Sequence, residues 1–125
     1  MNDPDPSEKR SHPRFIVTVR VDVRIRILGS MLAHLFRTVN ISSGGLLVAS
    51  VTDDPRLEVN SLWETTLFLP RRDGGADKIT CSASAVRKTA DGHYGLKIVG
   101  IDSASQNTLN GFLERVAREG PDVGP

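Results

Sequence analysis

The sequence predicts a mainly β domain: a six-stranded antiparallel barrel with a C-terminal α-helix that plugs or flanks it. Three observations carry this expectation. Residues 17–27 alternate apolar and polar without a break, five further short apolar runs follow between turn signals, and the period changes to that of a helix only near the end. At 125 residues, 38% of them hydrophobic, the chain has the size of one domain with a single modest core.

In "VTVRVDVRIRI" (17–27), Val17, Val19, Val21, Val23, Ile25 and Ile27 face one way, and Thr18, Arg20, Asp22, Arg24 and Arg26 the other. Period two over this length is a long strand with one buried face. "LGS" (28–30) makes a turn into a second strand, "MLAHLFRTV" (31–39). After the polar stretch "NISSG", "GLLVASV" (45–51) is a third strand, ended by "TDDP". A fourth, "LWETTLFLP" (62–70), is followed by the loop "RRDGGADK" (71–78). A fifth, "ITCSASAVRKT" (79–89), turns through "ADGH" into a sixth, "YGLKIVGI" (94–101). Leu109, Phe112, Leu113 and Val116 then recur at i, i+3, i+4 and i+7, the stripe of an amphipathic helix. Ser103 and Gln106 suggest a capping box at its start, and Gly120 and Pro121 a stop. Residues 1–13, with three prolines and almost nothing apolar, read as a flexible arm, 14–119 as the barrel domain with its helix, and 120–125 as a loose tail.

Sixteen basic and fifteen acidic residues leave a net charge of +1, without the basic excess of a general nucleic-acid binder. A barrel that grips single strands would also expose stacking aromatics, and these are only 5% of the chain, mostly at core-like positions. No apolar run reaches the ~18 residues of a membrane span, and the polar, proline-rich opening is not a secretory signal. Cys81 stands alone, so an internal disulfide is excluded, and it is expected as a small buried hydrophobe. A reducing cytoplasm is the expected compartment.

No constellation for an enzyme is present. His12, His34 and His93 form no HxH or HxxxH pair, so no metal site is expected. Serines occur without a G-x-S-x-G elbow, and Asp53 and Asp54, beside Pro55, read as turn formers. Two features remain. "KRSHPR" separates Arg10 and Arg14 by three residues in the arm, where they suit either a solvated basic segment or a clamp. "NISSGG" (40–45) supplies more turn formers than a hairpin needs, so it is either a generous turn or the floor of a ligand site.

Taken in order, Arg10-Ser-His-Pro-Arg14, about two dozen residues, then Asn40-Ile-Ser42-Ser-Gly-Gly45 make the pattern R-x-x-x-R … [D/N]-x-S-x-x-G, which resembles the PilZ domain family. "LWETTLFLP", "ASAVRK" and "YGLKIVGID" resemble that family's last three strands and "NTLNGFLERV" its closing helix, so the likeness covers about residues 8 to 118. It implies a bacterial receptor for cyclic di-GMP that is not an enzyme and carries no cofactor. It further implies that the arm closes over the ligand and signals to a partner protein, in motility or exopolysaccharide regulation, without binding DNA or RNA and without membrane insertion.

The side chains suit that ligand, which carries two guanines and two phosphate charges. Arginine alone can stack on a base, clamp a phosphate and donate bidentately to guanine O6 and N7, which fits Arg10 and Arg14. Asn40 and Ser42 offer polar atoms to a guanine edge, and Gly45, lacking Cβ, allows close approach. Asn40 stands where many relatives have Asp, a stronger acceptor. Arg87, ending the fifth strand, is a second-tier contact, and Lys9 bears on whether one ligand or a stacked pair is bound. A family member that only binds proteins is the alternative reading.

Overall fold

A computed structural model describes residues 14–27, 29–51 and 59–119, without the side chains of Arg26 and Ile27. Residues 1–13 with Lys9, Arg10 and His12, read as an arm, Leu28, residues 52–58 with Asp53, Asp54 and Pro55, read as turn formers, and residues 120–125, read as a tail, lie outside the described residues. Six strands and one helix follow in order: β1 (Arg20–Ile27), β2 (Ser30–Ile41), β3 (Gly45–Ser50), β4 (Leu62–Pro70), β5 (Ala76–Lys88), β6 (Tyr94–Gly100) and α1 (Ser103–Glu119). All pairings are antiparallel, and the ring β1-β2-β3-β6-β5-β4 closes where β1 meets β4. Closure leaves the short strands without a free edge.

The alternation in the first strand delivers what its period implies: Val19, Val21, Val23 and Ile25 are buried among Phe36, Trp63, Leu67 and Tyr94. Phe36, Trp63 and Tyr94 stack inside the barrel with ring centroids 5.2–6.0 Å apart, and Trp63 Nε1 donates to Ser61 Oγ at 2.8 Å. Helix α1 buries Leu109, Phe112 and Leu113 against this same core, with Val116 half-buried.

Several boundaries differ from the expected ones, most of them for a physical reason. β1 begins at Arg20 instead of Val17: Thr38 N–H still donates to the Val19 carbonyl at 3.0 Å, but beyond it the Thr38 hydroxyl stands in for backbone partners, accepting from Val19 N–H at 2.9 Å and donating to the Val17 carbonyl at 2.5 Å. β2 runs from Ser30 to Ile41, longer than 31–39, because Gly29 takes a left-handed φ of 83° in a tight hairpin and because Phe15 pairs with Ile41 beyond a bulge at Thr38–Asn40. β5 begins at Ala76, not Ile79, since Ala76 pairs with Pro70 and the turn is held by Arg71 N–H to the Gly75 carbonyl (2.8 Å) and Gly75 N–H to Asp73 Oδ1 (2.8 Å). The loop therefore shrinks to Arg71–Gly75. The helix is capped by Asp102, not by a Ser103–Gln106 box: Asp102 Oδ1 accepts from Ser105 N–H at 2.7 Å, a charged acceptor at the positive end of the helix. β6 also stops one residue early, at Gly100.

The β2–β3 bend, the first described residues of the chain, the β4–β5 turn and α1 lie together at one end of the barrel. At that end Arg115 donates to the Pro70 carbonyl and Arg72 pairs with Glu119, tying the helix to the β4–β5 turn.

Candidate ligand-binding site

The residues of "NISSGG" build a compact bend with two kinds of surface. Ser42 N–H donates to the Gly45 carbonyl at 2.8 Å. The Ser42 hydroxyl accepts from Gly44 N–H (3.2 Å) and Gly45 N–H (3.1 Å) and lies 3.2 Å from the Gly45 carbonyl. With 7% of its surface exposed, Ser42 thus works inside the bend as its keystone, a role that explains a serine there through local hydrogen bonding. Gly45 is also explained by packing: a Cβ on it would lie 2.5 Å from the Leu96 carbonyl oxygen on β6. The backbone of β6 passes so close that any side chain there would force the two strands to shift. Gly44 completes the junction, its carbonyl accepting from Ile98 N–H at 2.9 Å.

Asn40 belongs to β2, just before the bend, next to the bulge. Its side chain is half-buried, and its Oδ1 accepts from Arg14 Nη1 at 3.3 Å. The fold thus brings together one residue from each of the two motifs, 26 positions apart in sequence. What holds Arg14 there is the neighbouring Phe15, whose N–H and C=O pair with Ile41 at 2.8 and 2.9 Å. Arg14 itself is exposed, so its guanidinium stands at the surface beside the bend. Arg10 lies outside the described residues.

Arg87 is further away, on the same row of the sheet. Asn40 pairs with Leu47, Leu47 with Gly95, and Gly95 with Arg87, so four strands carry these residues side by side. Directly paired residues share a face, and three strand spacings make roughly 14 Å between the backbones of Asn40 and Arg87. The Arg87 side chain lies over Gly95, where a Cβ would meet its Cγ at 3.0 Å and Nε at 3.1 Å. The bare glycine gives the arginine its path along the barrel wall.

Three contributors escaped the reading of the sequence. Thr38, fully buried, anchors the segment that carries Arg14 and Phe15. A lone threonine inside a strand looks like any β-branched core residue, so only its hydrogen bonds distinguish it. Gln106 and Asn110 of α1 face the bend: Gln106 Nε2 donates to Asn110 Oδ1 at 3.0 Å and lies 3.5 Å from the Ser43 carbonyl. Their i, i+4 spacing on a helix was the available signal.

Other chemistry is sparse. Among the described residues no group of three or more His, Cys, Asp or Glu could hold a metal ion. His34 shares a 2.8 Å hydrogen bond with Ser50. Cys81 is buried, and burial pushes its thiol up to about 11. Phe36, Trp63, Tyr94 and Phe112 are buried, and Phe68, on the outer face, lies under the Arg20 guanidinium at 4.6 Å. Among the described residues no helix is long and apolar enough to cross a membrane.

Comparison with solved structures places this architecture among known ones. The chain is similar to the Bacillus subtilis inhibitor of motility MotI/DgrA (TM-score 0.72, 18% identity, 91% of this chain and 54% of that one). It is similar to the PilZ domain of YcgR from Escherichia coli, solved with c-di-GMP (0.63, 16%, 89% and 95%). It is also similar to K. pneumonia MrkH in its c-di-GMP complex (0.64, 18%, 89% and 52%). The chain spans about half the length of MotI/DgrA and MrkH and nearly all of the YcgR domain. At these identities the likeness is one of fold. No curated protein sequence matches the chain. The PilZ domain family model matches residues 8–115, from the arm that carries the paired arginines into the closing helix, and the chain therefore belongs to the PilZ domain family.

Proposed function

We propose that this chain is a cyclic di-GMP receptor that acts in the cytoplasm through a partner protein, without catalysis. The observation that carries the reading is the contact between Arg14 and Asn40, one residue from each signature motif, at an exposed surface next to a rigid bend. Two of its structural neighbours, the YcgR domain and MrkH, were solved with c-di-GMP, which supports the choice of ligand.

In this reading Arg14 and Arg10 grip the phosphates and stack on the guanines, Asn40 meets a base edge, and the Ser42–Gly45 bend supplies the floor. Arg87 reaches the ligand from the far side of the same strand row. The arm that carries Arg10 closes over the ligand, and the partner reads the surface it then covers or leaves. Charge-assisted hydrogen bonds are worth about 1.5–3 kcal/mol each. The test is isothermal titration with cyclic di-GMP. The wild-type protein should bind, and Arg14→Ala should weaken binding at least about tenfold; wild-type affinity in Arg14→Ala would overturn the role of Arg14.

One observation favours a second reading, an interaction module that binds no nucleotide. Ser42 and Gly45 are both accounted for by the construction of the bend. Their presence alone therefore does not demand a ligand, and absence of any heat with cyclic di-GMP would select this alternative.

A further inference from the structure

We infer that Gln106 and Asn110 of α1 form an additional base-reading element, which binds a guanine edge in the cleft between the helix and the β2–β3 bend. The inference rests on the cyclic di-GMP reading above and extends the site to an element outside both motifs.

Two clefts flank the tip of the bend, and Ser43 and Asn110 line both. The larger, about 570 Å3, lies between Ser43, Gly44, Ile98, Gly100, Gln106 and Asn110. The smaller, about 330 Å3, lies between Phe15, Ser43, Asn110 and Leu113. Both volumes fall in the range of small-molecule sites. Ile98 gives the one apolar surface and Phe15 with Leu113 the other, the two amides lie on the walls, and Glu114 stands beside Asn110 in the smaller cleft. That combination suits a flat ring with a polar edge.

The orientation of the amides follows from their neighbours. A carbonyl only accepts, so the Ser43 oxygen, 3.5 Å away, turns the nitrogen of Gln106 toward itself. The same Nε2 donates to Asn110 Oδ1 at 3.0 Å, which turns the nitrogen of Asn110 the other way. What remains is one acceptor, Gln106 Oε1, and one donor, Asn110 Nδ2, for which the described residues provide no further partner. Both side chains are half-buried, so these atoms are partly shielded from water yet reachable from the clefts. An acceptor beside a donor complements the guanine edge, where N1–H donates and O6 accepts. An adenine edge turned over offers one donor and one acceptor as well, so the pair reads a purine edge, and the choice of guanine comes from the cyclic di-GMP reading.

The closing experiment titrates cyclic di-GMP into wild type, Asn110→Asp and Arg14→Ala. Asn110→Asp keeps the size of the side chain and its acceptor toward Gln106 while replacing the free donor with a second acceptor. It should weaken cyclic di-GMP binding about tenfold, with an unchanged melting temperature. In the wild-type protein the side-chain amide NMR signals of Gln106 and Asn110 should shift on adding cyclic di-GMP. If wild type and Asn110→Asp bind alike and those signals stay in place while Arg14→Ala loses affinity, the role of the helix is wrong and the receptor reading stands. If the wild-type protein does not bind cyclic di-GMP, both fall.

Discussion

Arg14 Nη1 lies 3.3 Å from Asn40 Oδ1, so the segment ahead of β1 meets the end of β2. The amide of Asn40 is a neutral acceptor, and a carboxylate in its place would roughly double the strength of the contact. Asn40→Asp should therefore bind cyclic di-GMP at least as well as wild type, since it holds Arg14 in position and accepts more strongly from guanine N–H groups. Repulsion between the new carboxylate and the ligand phosphates opposes this. Isothermal titration of the variant decides between them, and a clear loss of affinity would show that Asn40 faces a phosphate instead of a base.

Because the Gly45 Cα packs against β6, its replacement should act on stability first. A methyl group 2.5 Å from the Leu96 carbonyl requires β3 and β6 to separate at their junction. Gly45→Ala should cost about 1–3 kcal/mol, a fall of roughly 5–15 °C in melting temperature. Ser42→Ala removes the acceptor for two bend N–H groups and should cost about 1–2 kcal/mol. In calorimetry with paired titrations, both should lower the melting temperature before they approach the affinity loss of Arg14→Ala.

Thr38 offers a sharper separation of fold from site. Thr38→Val keeps the shape and leaves the buried Val19 N–H and the half-buried Val17 carbonyl without their side-chain partner. We expect destabilisation of at least about 2 kcal/mol. Amide exchange should quicken at Val19 and Phe15 ahead of the rest of the barrel. Cyclic di-GMP affinity should drop as well, since the segment positioning Arg14 loses its anchor. Uniform quickening over all strands would refute this anchoring role.

Cys81 links stability to alkaline pH. Its folded thiol is pushed up to about 11 by burial, while an exposed thiol in the unfolded chain ionises near pH 8.5. Between these values the unfolded chain has lost a proton that the folded one keeps, so stability falls as pH rises from about 8.5 to about 11 and levels off above. Below about 8.5 the contribution is fully present. Urea unfolding of wild type and Cys81→Ala at pH 8 and pH 10 should show the steeper loss in wild type. The native thiol should also resist iodoacetamide at pH 8 until the barrel is unfolded.

Much of the architecture was legible because it rests on local periodicity. The alternation from Val17 to Ile27, the turn formers between strands and the 109–112–113–116 stripe need no partner to be read, and each reappears as a barrel strand or as the buried face of α1. The boundaries were not legible where a side chain or a distant strand sets them. Thr38 interrupts the ladder ahead of β1, Asp102 displaces Ser103 as the helix cap, and the pairing of Ala76 with Pro70 lengthens β5.

The sequence by itself determined the class of fold, the family pattern and the five signature positions, since hydrophobic period and motif spacing are properties of a single chain. Only the tertiary structure decided what those positions touch. Arg14 and Asn40 meet because Phe15 pairs with Ile41, closing a gap of 26 residues through two backbone hydrogen bonds. Ser42 and Gly45 turned inward, toward the bend and toward β6, because the Leu96 backbone passes at that point. Gln106 and Asn110 joined the site because α1 packs Leu109, Phe112 and Leu113 on the core and so lays its polar edge beside Ser43. Such contacts depend on which strand lies next to which, and strand adjacency in a closed barrel is set by the whole ring.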